Sequence, residues 1–347
     1  MNKNVWLVSG AYIAALVGGG FASGQEILSF FVKYGRASFV AVAVVCVLLG
    51  LFGALILEGT ASRGTYTFSE YLKGILPEPI YPAASVLVTL FMLAVFAVMI
   101  SAGGETISAI WGGTPAAWGV LLCLVCLAAM KGGLRMLTAV NGLLGLFIGV
   151  GVLAACWYIV NYRFAGTFAG GNSLAASGIS YTGYNMISAG VALAGMGRFI
   201  KNGREAALAG VISGTVMFLM MAGVWTVISI FYGKIPLGEI PMLTIASRQG
   251  KVFAFLYTVL LGVSIYTTAA ACASSAMNEL RKRTTKTAAM AAVACCGVIG
   301  GGFPFSGMVD ILYRAAGYAG AVILMYIAID YVKKIKKVRK TKINRKN

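Results

Sequence analysis

Long apolar stretches alternate with short polar segments along this chain, and two of the stretches contain a polar interruption. A helix of about 20 apolar residues crosses a bilayer. Stretches near or above that length are 4–32, 38–58, 83–104, 116–130, 137–160, 178–197, 206–232, 252–278, 287–303 and 309–332. The pattern therefore predicts an all-α integral membrane protein with ten transmembrane helices.

The first interruption lies within 4–32, where residues 16–26 read Leu-Val-Gly-Gly-Gly-Phe-Ala-Ser-Gly-Gln-Glu. Each glycine costs about 1 kcal/mol relative to alanine in a helix interior, so we expect the helix to break here. A break inside a membrane is tolerated only where protein or water satisfies the freed backbone groups. Such discontinuous helices build solute sites in transporters.

The second interruption lies within 178–197 and reads Ser180-Tyr181-Thr182-Gly183-Tyr184-Asn185. Polar loops of similar length, 61–80 and 233–251, follow the second and seventh stretches. Because five spans per half is an odd number, the second half would be inverted relative to the first. The pattern predicts two inverted five-helix repeats, 1–163 and 164–332, with helices 1 and 6 discontinuous and a basic tail at 333–347.

Composition supports a membrane protein that is not an enzyme. Hydrophobic residues make up 59% of the chain, charged residues 11%, and the mean hydropathy is +0.87, whereas soluble proteins have about 25% charged residues. The N-terminus resembles a signal peptide, but apolar helix continues beyond the cleavage point it would have. The absence of histidine excludes His-dependent hydrolases and acyltransferases, and no GxxxxGK[ST] motif or cofactor motif is present. Cys123 and Cys126 have CxxC spacing, but like the other cysteines they are expected to be small buried hydrophobes.

The net charge of +18 is concentrated in the tail at 333–347, which argues against a nucleic-acid partner. Such a cluster beside a membrane contacts anionic lipids of the bilayer, although a solvated tail that only fixes topology is an equal alternative. The distribution of lysine and arginine among the loops places both termini in the cytoplasm. We therefore expect a multi-pass protein of the cell membrane.

The glycine-rich break offers several candidate binding residues. Gly18, Gly19 and Gly20 would expose backbone N–H groups that favour an anion such as a solute carboxylate, or would only allow close helix packing. Glu26 would carry a proton, help hold a cation or bind a solute amine. The alternative is a shallow Glu26 that pairs with Lys33 or Arg36.

The second interruption adds hydroxyls, an amide and aromatic faces, unless its tyrosines are only interfacial anchors. Asp310 and Arg314 are spaced i,i+4 and predict an ion pair at a helix start, with a gate as the alternative.

The segments Gly18–Glu26 and Tyr181–Asn185 resemble the YkvI-like branch of the amino acid–polyamine–organocation (APC) superfamily, which has a LeuT-type fold. The resemblance implies a solute carrier that works by rocking of one helix bundle against the other. It places an amino-acid-like small molecule between spans 1 and 6, facing spans 3 and 8. The implied solute contacts are Gly18, Gly19, Gly20, Phe21, Ser23, Gln25, Glu26, Tyr181, Thr182, Gly183, Tyr184 and Asn185.

The resemblance also implies a cation site in sodium-coupled relatives, made of span 8 hydroxyls and span 1 carbonyls. These would be Ser264, Thr267, Thr268, Ala14 and Val17, although serine and threonine in membrane helices often bond to their own helix. Span 5 lacks the lysine of proton-coupled relatives and offers only Asn141, and Gly24 stands near the place of a gate arginine. Na⁺ and H⁺ both remain open as the coupling ion.

Together these features predict an ion-coupled symporter of an amino acid or similar small zwitterion. The rival prediction is a receptor subunit that senses a nutrient through the same pocket without transporting it.

Overall fold

The computed structural model describes residues 3–131, 150–154, 156–157 and 173–344, and within these residues the regular structure is entirely helical. The helices are α1 (Lys3–Leu16), α2 (Gly19–Ser23), α3 (Gln25–Phe30), α4 (Ser38–Arg63), α5 (Phe68–Ile75), α6 (Tyr81–Trp111), α7 (Pro115–Lys131), α8 (Leu174–Met196), α9 (Gly203–Phe231), α10 (Pro241–Ser247), α11 (Lys251–Leu280), α12 (Lys286–Gly300), α13 (Phe305–Met308) and α14 (Arg314–Asn344). A π-helical turn, Val309–Tyr313, joins α13 to α14.

Five described helices are long and apolar enough to cross a membrane, and two shorter apolar helices accompany them. The long helices are Ser38–Arg63, Tyr81–Trp111, Gly203–Phe231, Lys251–Leu280 and Phe305–Lys336. The chain is therefore a multi-pass membrane protein. The predicted span 137–160 falls mostly outside the described residues, as do Asn141, the repeat boundary at 163 and the last residues of the tail.

The interrupted first helix lies at the centre of the packing. Helix α1 packs against α8 and α9, and α4 packs against the same two helices. Glycines allow this approach, because a Cβ at Gly50 would lie 2.8 Å from the carbonyl oxygen of Gly210. Helix α6 packs against α7, α11 and α12, and α11 also contacts α2. The break in the first helix is thus enclosed by several long helices.

Each of the two loops of similar length contains a short helix. Helix α5 lies between α4 and α6, and its first turn is capped by the Thr67 hydroxyl, which accepts a bond of 3.3 Å from the Glu70 amide. Helix α10 lies between α9 and α11 and contacts both α2 and α3. A second short helix therefore packs directly on the interrupted region.

The predicted break in the sixth helix is wrong, because α8 runs without interruption from Leu174 to Met196. Thr182 and Asn185 donate to carbonyls one turn earlier in the same helix, at 2.9 and 3.0 Å. Gly183 packs so closely against Gly317 that a Cβ would overlap the Gly317 carbonyl oxygen. The polar side chains form hydrogen bonds within α8, and the glycine packs against a neighbouring helix. The helix therefore remains continuous.

Candidate functional site

The first helix is interrupted at Gly18, whereas the rest of the predicted unwound segment Gly18–Ala22 lies in the short helix α2. The interruption is anchored from α11. Helix α1 ends at Leu16, α2 begins at Gly19, and Gly18 between them has an extended conformation. The Gly19 amide donates a hydrogen bond of 3.1 Å to Thr268 Oγ1. A backbone N–H freed by the break is therefore satisfied by a neighbouring helix, as burial in a membrane requires.

The first helix is interrupted again at Gly24, after the five helical residues of α2. Gly24 has φ of +79°, a left-handed conformation that glycine adopts at little cost. Ser23 Oγ donates to the Gly20 carbonyl at 2.7 Å and accepts from the Gln25 amide at 3.1 Å. Gln25 Nε2 donates to Ser29 Oγ at 3.1 Å, while the buried Gln25 Oε1 has no hydrogen-bond partner among the described residues.

The carboxylate of Glu26 is buried directly beyond this turn. Tyr184 on α8 donates its hydroxyl proton to Glu26 Oε2 over 2.7 Å. A Cβ at Gly20 would overlap Glu26 Oε1, so the carboxylate lies against the backbone of α2. The alternative of a shallow Glu26 paired with Lys33 or Arg36 is wrong. The side chain is only 6% exposed, and no described Lys or Arg forms an ion pair with it.

Five buried aromatic side chains, here called the aromatic cluster, form around the tyrosine that binds Glu26. Ring centroids of neighbouring members lie 4.7 to 6.2 Å apart, a range typical of favourable aromatic pairs. The cluster comprises Phe30, Phe91, Tyr181, Tyr184 and Tyr313. Phe91 and Tyr313 carry no local sequence signal, because each is one apolar or aromatic residue within a long apolar stretch.

The candidate cation residues on α11 lie close to the first interruption. Besides accepting from Gly19, Thr268 Oγ1 donates to the Ser264 carbonyl at 2.8 Å, and Thr267 donates to the same oxygen at 3.1 Å. The threonine hydroxyls thus bond to a carbonyl of their own helix, which is the sequence-based alternative to a cation site. The hydroxyl of Ser264 is buried without a partner among the described residues. The structure brings Thr268 to Gly18 and Gly19, whereas a cation site with Ala14 and Val17 stays a prediction.

An ionic network lies at the far end of α3 from the break. Asp310 accepts from Lys33 at 3.1 Å and from Arg314 at 3.4 Å, which confirms the expected i,i+4 pair and adds Lys33. Arg314 also donates to the Ser29 carbonyl at 2.6 Å and places its guanidinium 4.6 Å from the centre of the Phe30 ring. This Asp310 network ties the first helix to the start of α14.

A separate cavity of about 230 Å³ lies outside the candidate site. Its walls come from α5, α6, α8 and α11, through residues that include Phe68, Thr89, Val191 and Asn278. Phe91 of the aromatic cluster lies on the turn of α6 between the lining residues Thr89 and Met92. The lining residues of this cavity include neither Glu26 nor a member of the aromatic cluster.

Sequence comparison gives a distant relative of unassigned function. No protein-family model matches the chain. An uncharacterized protein of Bacillus subtilis (strain 168), YyaD, is 23% identical over 265 residues, which are 75% of this chain and 76% of that protein.

Solved structures establish the fold. A Na⁺-coupled sialic acid symporter aligns with 90% of this chain and 74% of its own, at TM-score 0.61 and 12% identity. MhsT in complex with L-phenylalanine aligns with 93% of this chain and 88% of its own, at TM-score 0.67 and 16% identity. Mhp1, a nucleobase-cation-symport-1 family transporter, aligns with 92% of this chain and 77% of its own, at TM-score 0.54 and 15% identity. The chain shares the fold of these proteins, while membership of the YkvI-like branch and of the APC superfamily stays a prediction.

Proposed function

We propose that this protein is an ion-coupled secondary transporter of a small solute. The observation that carries the proposal is the doubly interrupted first helix, which places the buried Glu26 against Tyr184 of α8. Acidic groups are energetically costly inside a membrane, and they mark solute or ion pathways there. Two of the solved structures with this fold are a symporter and a transporter, not enzymes, and this protein is likewise not an enzyme.

The proposed architecture has ten spans in two inverted repeats, 1–163 and 164–332, followed by the basic tail. Both termini lie in the cytoplasm of a cell-membrane protein, with anionic lipids against the tail. This orientation follows from the positions of basic residues. It places the Asp310 network on the outer side and the cavity beside α5 on the cytoplasmic side.

The proposed mechanism is alternating access by rocking of one helix bundle against the other. Lys33, Asp310 and Arg314 join the outer ends of the first and last spans, whereas the cavity beside α5 lies at the proposed cytoplasmic side and its lining includes none of the proposed solute contacts. Bending is confined to the first helix at Gly18 and Gly24, because α8 is continuous. This differs from the sequence expectation, in which both helices 1 and 6 bend.

The proposed solute is an amino acid or similar small zwitterion, and the coupling ion is Na⁺ or H⁺. Support for Na⁺ comes from the hydroxyls of Ser264, Thr267 and Thr268 beside the interruption, since Na⁺ prefers hard oxygen ligands. Support for H⁺ comes from the buried Glu26 without a cationic partner. The solute contacts are those proposed from the sequence, with Phe91 and Tyr313 added.

Reconstitution of the purified protein into liposomes tests the proposal. A transporter accumulates a labelled amino acid when a Na⁺ or H⁺ gradient is imposed, and accumulation collapses when the gradient is removed. The rival receptor role would appear as solute binding without uptake in the same preparation. If the protein neither bound nor accumulated any amino acid, both the transporter role and the receptor role would be contradicted.

A further inference from the structure

The three segments of the first helix are held by different neighbours. In α1, the hydroxyl of Tyr12 donates to the Leu49 carbonyl of α4 over 2.6 Å. In α3, Arg314 of α14 donates to the Ser29 carbonyl at 2.6 Å, and Tyr184 of α8 binds the carboxylate described above. Both outer segments are therefore bonded to the group of helices formed by α4, α8, α9 and α14.

The short helix α2 between them is attached to α11 at both ends. The Gly19 amide at its start donates to Thr268 Oγ1 at 3.1 Å. The Ala22 carbonyl near its end accepts from the hydroxyl of Tyr257 at 2.7 Å, and Tyr257 is only 4% exposed. The two backbones also meet, because a Cβ at Gly19 would lie 2.8 Å from the Cα of Ile265. Helix α2 thus lies directly on α11, with a hydrogen bond at each end.

A glycine separates α2 from each of the other two segments. Gly18, before α2, is extended with φ of −94°, and Gly24, after α2, has φ of +79°. The backbone leaves right-handed helical geometry at both positions. Residues at the ends of helices can absorb the changes of φ and ψ that accompany a movement. Rotation at these two glycines therefore allows α1 and α3 to move without stretching the bonds between α2 and α11.

The packing of the long helices follows the same division. Helix α1 packs against α8 and α9, which also pack against α4, whereas α11 packs against α6. Helix α2 contacts both α11 and α6. The middle of the first helix therefore shares the neighbours of α11, while its two ends share those of α8 and α9.

We propose that α2 moves with α11, and that Tyr257 is the positioning residue that, together with Thr268, keeps α2 there while α1 and α3 follow their own neighbours. The first helix is then divided between two groups of helices, and Gly18 and Gly24 are the joints. This inference rests on the proposed transport function for the purpose of the movement, whereas the attachment of α2 can be measured without solute or gradient.

Thiol labelling of the full-length protein with N-ethylmaleimide, measured at each cysteine by peptide mass spectrometry, tests the inference. Two reporters are introduced separately, Ala22→Cys in α2 and Ser29→Cys in α3, at positions that are at most 2% exposed. A buried thiol reacts when its segment opens locally, so the labelling rate measures the release of that segment. Native Cys46 is buried and native Cys295 is exposed, and they serve as internal references.

Tyr257→Phe should raise the labelling rate at position 22 about threefold or more and leave position 29 within about twofold of its original rate, because one buried hydrogen bond of α2 is lost. Tyr184→Phe, which releases the carboxylate of α3, should have the reverse effect. Tyr266→Phe makes the same change elsewhere on α11 and should alter neither rate.

The inference is overturned if Tyr257→Phe leaves position 22 unchanged or raises positions 22 and 29 equally, because α2 would then be held otherwise or open together with α3. Faster labelling of Cys46 in Tyr257→Phe would show a general loosening, and would overturn the positioning role. If a reporter variant cannot be purified, hydrogen exchange of the peptides covering α2 and α3 replaces it, with the same expectations. Uptake into liposomes is measured separately, so its absence would contradict transport while labelling still decides the attachment of α2.

Discussion

The phenolic hydroxyl of Tyr184 donates a 2.7 Å hydrogen bond to the carboxylate of Glu26, although 158 residues separate the two in the chain. The bond joins the interrupted first helix to the continuous α8. Hydrogen bonds to charged groups are worth about 1.5–3 kcal/mol. The contact therefore couples any displacement of the first helix to the aromatic cluster.

Tyr184→Phe keeps the ring of the aromatic cluster and removes the hydroxyl that binds Glu26. We expect a lower apparent melting temperature without solute, because a buried carboxylate then loses its donor. The measurement is thermal unfolding in detergent. Tyr318→Phe is the matched control, since Tyr318 is 48% exposed on α14. Equal melting temperatures for the two variants would show that the Glu26 bond contributes nothing to stability.

Gly20→Ala should displace the Glu26 carboxylate, because the new Cβ would overlap Glu26 Oε1. Solute affinity should fall by about tenfold or more, and Gly20→Leu should abolish binding, while insertion and purification remain nearly normal. Gly262→Ala on α11 is the control, since a Cβ there meets nothing within 4 Å. If Gly20→Ala bound solute like the wild type, Gly20 would be a packing residue only.

Thr268→Val preserves side-chain shape but removes the oxygen that accepts from Gly19. We expect Na⁺ to lose its effect on solute affinity, because the proposed cation site loses a ligand beside the first interruption. The comparison is a Na⁺ titration of solute binding in wild type and variant. Thr258→Val is the control, since its hydroxyl donates to the Ala254 carbonyl one turn earlier. If the solute affinity of the wild type did not change with Na⁺ and uptake depended on a pH gradient, the coupling ion would be H⁺.

Gly183→Ala tests whether this glycine serves helix packing. The added Cβ would overlap the Gly317 carbonyl oxygen, so we expect a clear loss of thermal stability as α8 and α14 separate. Gly195→Ala lies on the same helix with its nearest neighbour, the Tyr66 carbonyl oxygen, 4.0 Å away. This control should be neutral or slightly stabilising, because alanine favours helix over glycine. Unchanged stability of Gly183→Ala would show that α8 and α14 tolerate a wider spacing.

The candidate site was only partly accessible from the sequence. Glu26, Tyr181 and Tyr184 stand out because polar groups are rare in apolar stretches, and the structure brings all three together. Their partners Phe91 and Tyr313 lie in other stretches, where an aromatic residue carries no distinguishing signal. The contact of Lys33 with Asp310 spans 277 residues, a separation over which no local pattern operates.

The sequence by itself determined the membrane class, the all-helical character of the described residues and the interruption of the first helix at Gly18. Hydropathy over about 20 residues and the conformational cost of clustered glycines are local quantities. The tertiary structure alone decided that Tyr184 binds Glu26 and that α8 stays intact. A glycine and several polar residues in one stretch are compatible with either a break or close packing. The neighbouring helix decides between them, since Gly183 meets Gly317 and the polar side chains bond within α8.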